Sequence, residues 1–257
     1  MVRGLFTAWT GMKTEQKRLD VISNNMANSA TTGFKAENVT SQSFKDLITL
    51  KVNDSSENFI TRPIGTMSFG VKLGEVYTDY TQGSLRKTDN KFDLAMNGKG
   101  FFTVDVKDAD GNSNIRYTRD GSFTMDVNGY VVDYAGNRVQ SESGDLQVPT
   151  DASDVKIDID GSVYADGQYV DKVLVADFED YDYLEKYADN MYKAIDGATE
   201  KDASGTVIQG YLEQSNVNAI KEMVQVINIT RAYEANQKVM QTIDGSLEQV
   251  ANSVGKV

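Results

Sequence analysis

Apolar residues recur every seven positions at both ends of the chain. Such spacing is typical of an α-helix that presents a narrow apolar seam. Near the N terminus the seam positions are Leu5, Met12, Leu19, Ile22 and Met26. Towards the C terminus they are Val226, Ile229, Tyr233, Met240, Ile243, Leu247 and Val250. The pattern therefore predicts one long helix at each end of the chain.

Polar residues mark the limits of both predicted helices. Asn24, Asn25, Asn28 and Gly33 follow the N-terminal seam, and Asn and Gly tolerate the left-handed backbone of a C-terminal cap. This helix should therefore end near Asn28. The cluster has two interpretations: it stops the helix, or it forms a joint that sets the angle between the helix and the next domain. The Ser-Asn-Val-Asn run at 215–218 offers N-cap residues for the second helix.

The length of the C-terminal helix bears on what its seam contacts. About 40 helical residues span roughly 60 Å, about twice the diameter of a small domain. One interpretation is a helical hairpin that caps a β domain. The other is that the two end helices pair as a coiled coil and form an assembly surface between subunits. Asn236 lies on the seam and favours the second interpretation, because a polar seam residue can set the register of a coiled coil. The twelve seam residues are the predicted assembly interface.

The middle of the chain has a different pattern. Short runs of β-branched and aromatic residues alternate with dipeptides suited to tight turns. These dipeptides are Asn97-Gly98, Asp110-Gly111, Asp120-Gly121, Asn128-Gly129, Asp160-Gly161 and Asp166-Gly167. Successive hairpins need no crossover helix, so we expect a central antiparallel all-β domain. The predicted fold class is α+β.

Four segments follow from these patterns. An N-terminal coiled-coil helix covers 1–33, and an extended connecting segment covers 34–70. A central β domain covers 71–210 and includes a looser, partly helical stretch at 179–205. A C-terminal coiled-coil helix covers 211–257.

Charge narrows the range of partners. The formal net charge is −12, and the excess of acidic residues lies between 63 and 210, while both ends are close to neutral. Binding to phosphate backbones and to anionic lipids depends on clusters of Lys and Arg. We therefore expect neither nucleic acid nor a lipid surface as a partner. The longest apolar runs are also too short for insertion into a bilayer.

Composition argues against enzymatic chemistry. The chain has no His and no Cys, which removes the commonest general base, the usual nucleophile pairs and most zinc or haem ligand sets. The many acidic residues could supply a pair of carboxylates for glycoside hydrolysis. No particular pair is marked by a motif, however. We expect no catalytic, metal or cofactor site, and no enzyme.

Motifs in three regions resemble one family. The segment at 22–35 is similar to the A-N-N-L-A-N-x-x-T-x-G-F-K signature of bacterial flagellar rod and hook proteins, and the segments at 93–104 and 117–123 are similar to that family's D-L-A-I-x-G-x-G-F-F-x-V and Y-T-R-x-G-x-F motifs. The C-terminal segment matches its S-N-V and R-A-Y-E-A-N motifs. The family-motif residues at the two ends are Asn24, Asn25, Ala27, Asn28, Gly33, Phe34, Lys35, Ser215, Asn216, Arg231, Tyr233 and Glu234.

This resemblance identifies the chain as a member of the bacterial flagellar basal-body rod protein family, at the length of the distal rod protein or its close proximal-rod relative. It implies a structural subunit that polymerises into a hollow helical shaft and transmits torque to the hook. The implied partners are copies of itself, other rod and hook subunits and the flagellar export apparatus. The implied location is the basal body outside the cytoplasmic membrane, in the periplasm or cell-wall zone, after export without a cleaved signal peptide.

Two further expectations complete the sequence analysis. A long helix with an exposed seam has little to hold it in isolation, so both ends should be poorly ordered in the monomer and fold on assembly. The alternative function is that of an acidic extracellular β-domain protein with a coiled-coil stalk, such as an adhesin or a glycan-binding protein.

Overall fold

The computed structural model describes residues 2–51, 62–107, 112–187 and 190–254. The predicted turn at Asp110-Gly111 lies outside these residues. By contact density the chain divides into two compact units. The first, called the helical unit below, comprises Met1–Met26, Glu37–Thr78 and Asn218–Val257. The second, called the β unit, comprises Ala27–Ala36 and Asp79–Val217.

The structure has one long helix at each end of the described chain, and a polar side chain caps the start of the second. α1 covers Val2–Ala27 and ends one residue before the predicted limit at Asn28. α2 covers Ala219–Val254. Asn218 caps α2, because its Oδ1 accepts hydrogen bonds from the N–H groups of Ile220 and Lys221, each at 3.1 Å. The predicted N-cap in the Ser-Asn-Val-Asn run is therefore confirmed as its last residue.

Two antiparallel strand pairs belong to the helical unit. The strands are β1 (Glu37–Ser43), β2 (Leu47–Lys51), β3 (Arg62–Met67) and β4 (Val71–Thr78). β1 pairs with β4, and β2 pairs with β3. The segment predicted as an extended connection thus forms ladder hydrogen bonds, in part with the first strand of the predicted β domain.

Short strands make up the β unit. They are β5 (Leu85–Lys87), β6 (Leu94–Asn97), β7 (Phe101–Lys107), β8 (Ser113–Thr118), β9 (Thr124–Met125), β10 (Val131–Val132), β11 (Arg138–Ser141), β12 (Gly144–Asp145), β13 (Val155–Ile157), β14 (Ser162–Ala165), β15 (Gln168–Lys172), β16 (Val175–Phe178), β17 (Leu184–Lys186), β18 (Met191–Ala194), β19 (Glu200–Asp202), β20 (Thr206–Gln209) and β21 (Tyr211–Glu213). A single 3-10 turn among the described residues, Tyr181–Tyr183, lies within the stretch predicted to be looser and partly helical.

All ladders between these described strands are antiparallel. The main sheet has the order β17-β18-β8-β7-β11-β10-β9, with β12 beside β11, β16 beside β7 and β19 beside β16. β13, β14 and β15 form a second sheet, and β6 pairs with β20 and β5 with β21. The predicted α+β class with a central antiparallel region is confirmed.

β7 organises the core of the β unit. Phe102 and Val104 pack into one hydrophobic cluster, whereas Phe101 packs into another with Tyr117 and Phe178. Successive side chains of a strand project to opposite faces of its sheet. Both faces of the main sheet are therefore covered at β7, which explains why the first five residues of this strand are all buried.

Of the five predicted turn dipeptides within the described residues, four are confirmed and one is wrong. Positive φ angles occur at Gly98, Gly129, Gly161 and Gly167, as tight turns require. The prediction for Asp120-Gly121 is wrong, because Gly121 does not adopt a positive φ angle. Its carbonyl accepts the Leu94 N–H at 3.0 Å, and a Cβ atom added there would lie 1.7 Å from the Leu94 oxygen. Glycine occupies position 121 because the connection between β8 and β9 lies directly against the backbone of Leu94 in β6.

Candidate assembly surfaces and motif junction

α1 and α2 contact each other at two glycines of α1. A Cβ atom added to Gly4 would lie 3.2 Å from Cδ1 of Ile243, and one added to Gly11 would lie 3.0 Å from Nδ2 of Asn236. The contacts are spaced by seven residues on each helix and follow opposite chain directions. The two helices therefore run antiparallel in the helical unit and approach closely where α1 lacks a side chain.

The predicted seam residues divide into two groups by exposure. Most are buried or half-buried: Leu5, Met12, Leu19, Ile22, Met26, Val226, Ile229, Met240 and Ile243. Three on α2 are exposed, namely Tyr233, Leu247 and Val250. Much of the seam thus lies against the chain itself, and two of its three exposed residues lie towards the end of α2.

Other apolar residues of α2 are more exposed than the predicted seam. Ile220, Met223, Val224 and Ile227 are 77%, 55%, 53% and 47% exposed, and they lie at spacings of three and four residues along one helix face. The seven-residue series lies on a different face of α2, and the predicted interface does not include this set. Its signal was present in the sequence as a second stripe at helical spacing.

Further exposed apolar side chains lie elsewhere in the helical unit. Phe6 and Trp9 are exposed on α1, and the Lys13 ammonium lies 5.5 Å from the Trp9 ring centroid. Ile48 and Ile64 are exposed on the β2–β3 ribbon. Two-stranded ribbons have little stability of their own in water, so this ribbon is a second surface that contact with another molecule would stabilise.

Asn25 has a role that neither interpretation of the Asn cluster describes. Its Nδ2 donates to the Glu37 carbonyl at 2.8 Å, and its Oδ1 accepts the Glu37 N–H at 3.0 Å. The buried side chain therefore pairs with both backbone groups of one β1 residue, as a neighbouring strand does. Asn24 and Ala27 are exposed near the end of α1, and the Asn28 carbonyl accepts the Thr31 N–H at 3.2 Å.

The remaining N-terminal motif residues belong to the β unit. Lys35 is buried and its Nζ lies 2.6 Å from Oε1 of Glu213. Arg119, from the Y-T-R motif, places Nη1 3.2 Å from Oε2 of the same carboxylate. We call Lys35, Arg119 and Glu213 the motif junction, because they join three segments that are far apart in sequence.

Burial and charge oppose each other in the motif junction. Burial lowers the pKa of Lys35, and the Glu213 carboxylate partly offsets that effect. The Lys35 ammonium also donates to the Thr81 carbonyl at 2.8 Å, and Gly83 N–H donates to Glu213 at 2.9 Å. Loss of the Glu213 carboxylate would leave the positive charges of Lys35 and Arg119 buried without a counter-ion, which is strongly unfavourable. Glu213 was not predicted, since a single sequence has no signal that links it to Lys35.

Gly33 packs directly on the backbone of the middle motif. Its φ is +67°, and an added Cβ atom would lie 2.3 Å from the Asp120 nitrogen. Gly33 N–H donates to the Glu213 carbonyl at 2.8 Å, and Phe34 beside it is buried. Position 33 thus requires glycine for both its conformation and the space it occupies.

Asn216 connects two other segments of the β unit. Its Oδ1 accepts the Ala36 N–H and its Nδ2 donates to the Asp79 carbonyl, each at 2.8 Å. Ser215 Oγ accepts the Val217 N–H at 3.2 Å. The S-N-V motif is therefore a set of backbone contacts, whereas Arg231 and Glu234 of the later motif are exposed on α2.

Metal sites and membrane-spanning helices are both absent from the described residues. In the part of the chain that the structure describes, no group of three or more His, Cys, Asp or Glu side chains could hold a metal ion. Within that same part, neither helix combines the length and the apolar character needed to cross a bilayer. The fold and its surfaces define a class of subunit with two terminal helices, a central antiparallel β unit and exposed apolar helix faces.

Comparison with known proteins identifies the family. Models described as flagella basal body rod protein, flagellar hook protein FlgE/F/G D1 domain and flagellar basal body rod FlgEFG protein C-terminal match residues 5–35, 95–165 and 208–253. The chain is 35% identical to flagellar basal-body rod protein FlgG of Buchnera aphidicola subsp. Schizaphis graminum and 33% identical to FlgG of Bacillus subtilis, with 98% of this chain and 99% of each relative covered. It is 31% identical to FlgF of Caulobacter vibrioides over the whole of both chains.

The chain belongs to the flagellar basal-body rod protein family. It is a structural subunit of the rod in the flagellar basal body, where the family assembles with other rod and hook subunits. The matched segments cover most of α1 with its motif, the part of the β unit from β6 to β14, and β21 with α2.

Proposed function

We propose that copies of this protein polymerise through the helical unit into a hollow helical shaft that transmits torque to the hook. The observation that carries this proposal is the exposed apolar stripe on α2, in which Ile220 is 77% exposed. Apolar surface of this kind gains free energy when a partner removes it from water. Because the rod is built from many subunits, another copy of the chain is the natural partner.

The coiled-coil part of the proposal rests on the antiparallel helix contacts. Gly4 faces Ile243 and Gly11 faces Asn236, one heptad apart on each helix. A repeat of seven residues keeps a seam on one side of a helix pair over many turns. In the polymer α1 and α2 would form a coiled coil whose register Asn236 helps to set.

We also propose that the helical unit gains order on assembly. Among the described residues of the helical unit, the buried apolar side chains are Ala8, Ile22 and Ile229. Ordering a residue costs about 1–2 kcal/mol in backbone entropy, and so few buried side chains offset little of it. Folding coupled to assembly also suits a subunit that leaves the cell unfolded.

Export and location complete the proposal. The subunit would pass through the flagellar export apparatus without a cleaved signal peptide and act outside the cytoplasmic membrane, in the periplasm or cell-wall zone. Its neighbours in the shaft would be copies of itself and other rod and hook subunits. Family membership supports each of these statements.

Sedimentation velocity and negative-stain microscopy of the purified protein test the proposal. We expect monomers at low concentration and open filaments at high concentration. We also expect circular dichroism to report more helix in the polymer than in the monomer. A discrete dimer or trimer at all concentrations would contradict polymerisation and favour a stalked adhesin. Equal helix content in monomer and polymer would contradict coupled folding alone.

A further inference from the structure

A pocket lies on one face of the main sheet of the β unit. Its lining residues belong to four adjacent strands in the order β8-β7-β16-β19. The Tyr117 hydroxyl on β8 donates a hydrogen bond to the Glu200 carboxylate on β19. Because this bond joins the two outer strands across the two inner ones, this face of the sheet is concave. The pocket has a volume of about 240 Å³, which suits a single side chain or a small molecule better than a drug-sized ligand.

The floor of the pocket contains a buried hydroxyl without a partner. Thr103 lies on β7 opposite Tyr117 and is 1% exposed. Within the described ranges of the chain, its Oγ1 has no hydrogen-bond partner. A buried hydroxyl that forms no hydrogen bond is unfavourable. A ligand that donates a hydrogen bond to Thr103 would therefore gain free energy that the chain alone does not recover.

The charge at the pocket is negative. Glu200 and Asp202 both line it, and both residues are exposed. The only cation among the described lining residues is Lys201, whose Nζ lies 3.2 Å from Oδ2 of the buried Asp177. That carboxylate offsets the charge of Lys201. Two lining carboxylates therefore remain to attract a cation.

Apolar side chains complete the pocket. Ile115 and Leu174 line it, and both are exposed, so an aliphatic chain in the pocket would remove apolar surface from water. A primary ammonium has three N–H donors and no acceptor. These donors match the oxygen acceptors of Thr103, Glu200 and Asp202, and the positive charge matches the two carboxylates.

We infer that this pocket binds a primary ammonium group carried on a short aliphatic chain. The ammonium donates to the Thr103 hydroxyl and to the Glu200 and Asp202 carboxylates, while the chain packs against Ile115 and Leu174. The lysine side chain of a neighbouring subunit and small free amines both carry such a group. The site itself does not depend on the proposed polymerisation, and only its occupation by a neighbouring lysine rests on that function.

Titration of the monomer with n-butylammonium tests the site. n-Butanol and butyrate are the matched probes, because they have the same number of carbon atoms and differ in charge. The NMR signal of the Ile115 methyl group reports binding in the pocket. We expect n-butylammonium to bind at least about fivefold more tightly than n-butanol, and butyrate to bind more weakly than either. Equal affinities for n-butylammonium and n-butanol, or an Ile115 signal that does not shift, would overturn the inference.

Variants of the pocket test which groups hold the ammonium. Thr103→Val removes the hydroxyl and nearly keeps the shape of the side chain, and it should weaken n-butylammonium binding about threefold to tenfold. Asp202→Asn should weaken binding about twofold to fivefold. Asp151→Asn removes the same charge at an exposed position outside the pocket and should leave binding unchanged.

The affinity for n-butanol is the check that these variants keep the pocket intact, because its chain makes the same apolar contacts. It should be the same in Thr103→Val and Asp202→Asn as in the wild type. Wild-type affinity for n-butylammonium in both of these variants would contradict the assigned contacts and overturn the inference.

The polymer distinguishes the two sources of the ammonium group. If a neighbouring lysine fills the pocket, n-butylammonium should bind the monomer and not the polymer. If a free amine is the ligand, n-butylammonium should bind both equally. Either result supports an ammonium site. Failure of the wild type to polymerise would contradict the proposed function, and the monomer titration would still decide whether the ammonium site exists.

Discussion

The β unit and the helical unit differ in how far their apolar side chains are exposed to water. In the β unit, Phe101 and Phe102 are fully buried on opposite faces of β7. In the helical unit, Ile220 and Met223 are more than half exposed. One unit carries its own hydrophobic core, whereas the other keeps apolar surface that a single chain does not cover. This difference supports our proposal that the β unit supplies the folding stability and that the helical unit supplies the assembly surface.

The largest effect is expected from a charge in the helix seam. Ile243→Asp places a carboxylate beside Gly4, where α1 and α2 approach closely, and burial of an unpaired charge is strongly unfavourable. Polymer should be absent at concentrations at which the wild type forms it, while the β unit unfolds as before. Leu19→Asp should act in the same way.

Pelleting assays and urea unfolding measure the two halves of this prediction. Gln241→Asp adds the same charge at an exposed position of α2 and is the matched control. Normal polymer from Ile243→Asp would show that the seam has no part in assembly. A large loss of β-unit stability would show that the two units are not independent in this respect.

The next effect concerns the motif junction of the β unit. Glu213→Gln removes the carboxylate that lies 2.6 Å from Lys35 Nζ and 3.2 Å from Arg119 Nη1. Breaking a buried ion pair by removing one partner costs about 3–5 kcal/mol, because the other charge stays buried. Urea unfolding followed by tyrosine fluorescence should report a loss of that size.

An exposed ion pair supplies the control for this comparison. Asp154 lies 3.0 Å from Lys91, and both side chains are exposed. Asp154→Asn should therefore change the free energy of unfolding by less than about 1 kcal/mol. If Glu213→Gln and Asp154→Asn lowered the free energy of unfolding by similar amounts, burial would not increase the contribution of the motif junction to stability.

A comparison of Gly33 with Gly136 separates the energetic cost of a positive φ angle from the cost of close packing. Both have positive φ angles, +67° and +85°, but a Cβ atom at Gly136 meets no atom within 4 Å, whereas one at Gly33 meets the Asp120 backbone. Gly136→Ala should cost about 1 kcal/mol from the backbone alone. Gly33→Ala should cost about 2–4 kcal/mol, since overpacking adds to that term.

Thermal unfolding of the two glycine variants checks this difference. If both variants lose the same free energy of unfolding, the close approach at Gly33 contributes nothing. The result would then favour the helix stop, which is one of the two interpretations of the cluster that the sequence leaves open. Gly33→Ala should form less polymer only to the extent that its β unit is less stable.

The smallest effect is on stability at alkaline pH. Burial, together with its hydrogen bond to Glu200, raises the pKa of Tyr117, and burial together with Asp177 raises the pKa of Tyr181. A raised pKa means that the unfolded chain loses the proton first. The contribution of each tyrosine is complete below its ordinary pKa of 10.0 and decreases as the pH rises above it, by up to about 1.4 kcal/mol per pH unit.

Tyr117→Phe should make the stability of the β unit less dependent on pH above 10.0. Urea midpoints measured at several alkaline pH values test this, with Tyr134→Phe at an exposed position as the control. An unchanged dependence in Tyr117→Phe would contradict the assignment to this hydroxyl.

Local patterns in the sequence predicted the elements of this fold well. The seven-residue series predicted α1 and α2, and the side chain of Asn218 forms the predicted cap. Turn dipeptides between apolar runs predicted antiparallel strands. These features depend on neighbours within a few residues, which a single sequence displays directly.

Long-range features could not be predicted in the same way. Lys35 and Glu213 are 178 residues apart in the chain, and no local pattern indicates that they meet. Gly121 has the sequence of a hairpin turn but occupies a close contact with Leu94. The second apolar stripe on α2 could have been predicted, because Ile220 and Val224 stand at helical spacing, but the heptad analysis selected another face.

Hydrogen exchange measured on monomer and polymer tests the division of roles between the units most directly. Amides of α2 between Ala219 and Val254 should exchange rapidly in the monomer and gain protection in the polymer, whereas amides of β7 between Phe101 and Lys107 should be equally protected in both. Equal protection of α2 in monomer and polymer, or protection of β7 that appears only on polymerisation, would contradict the account.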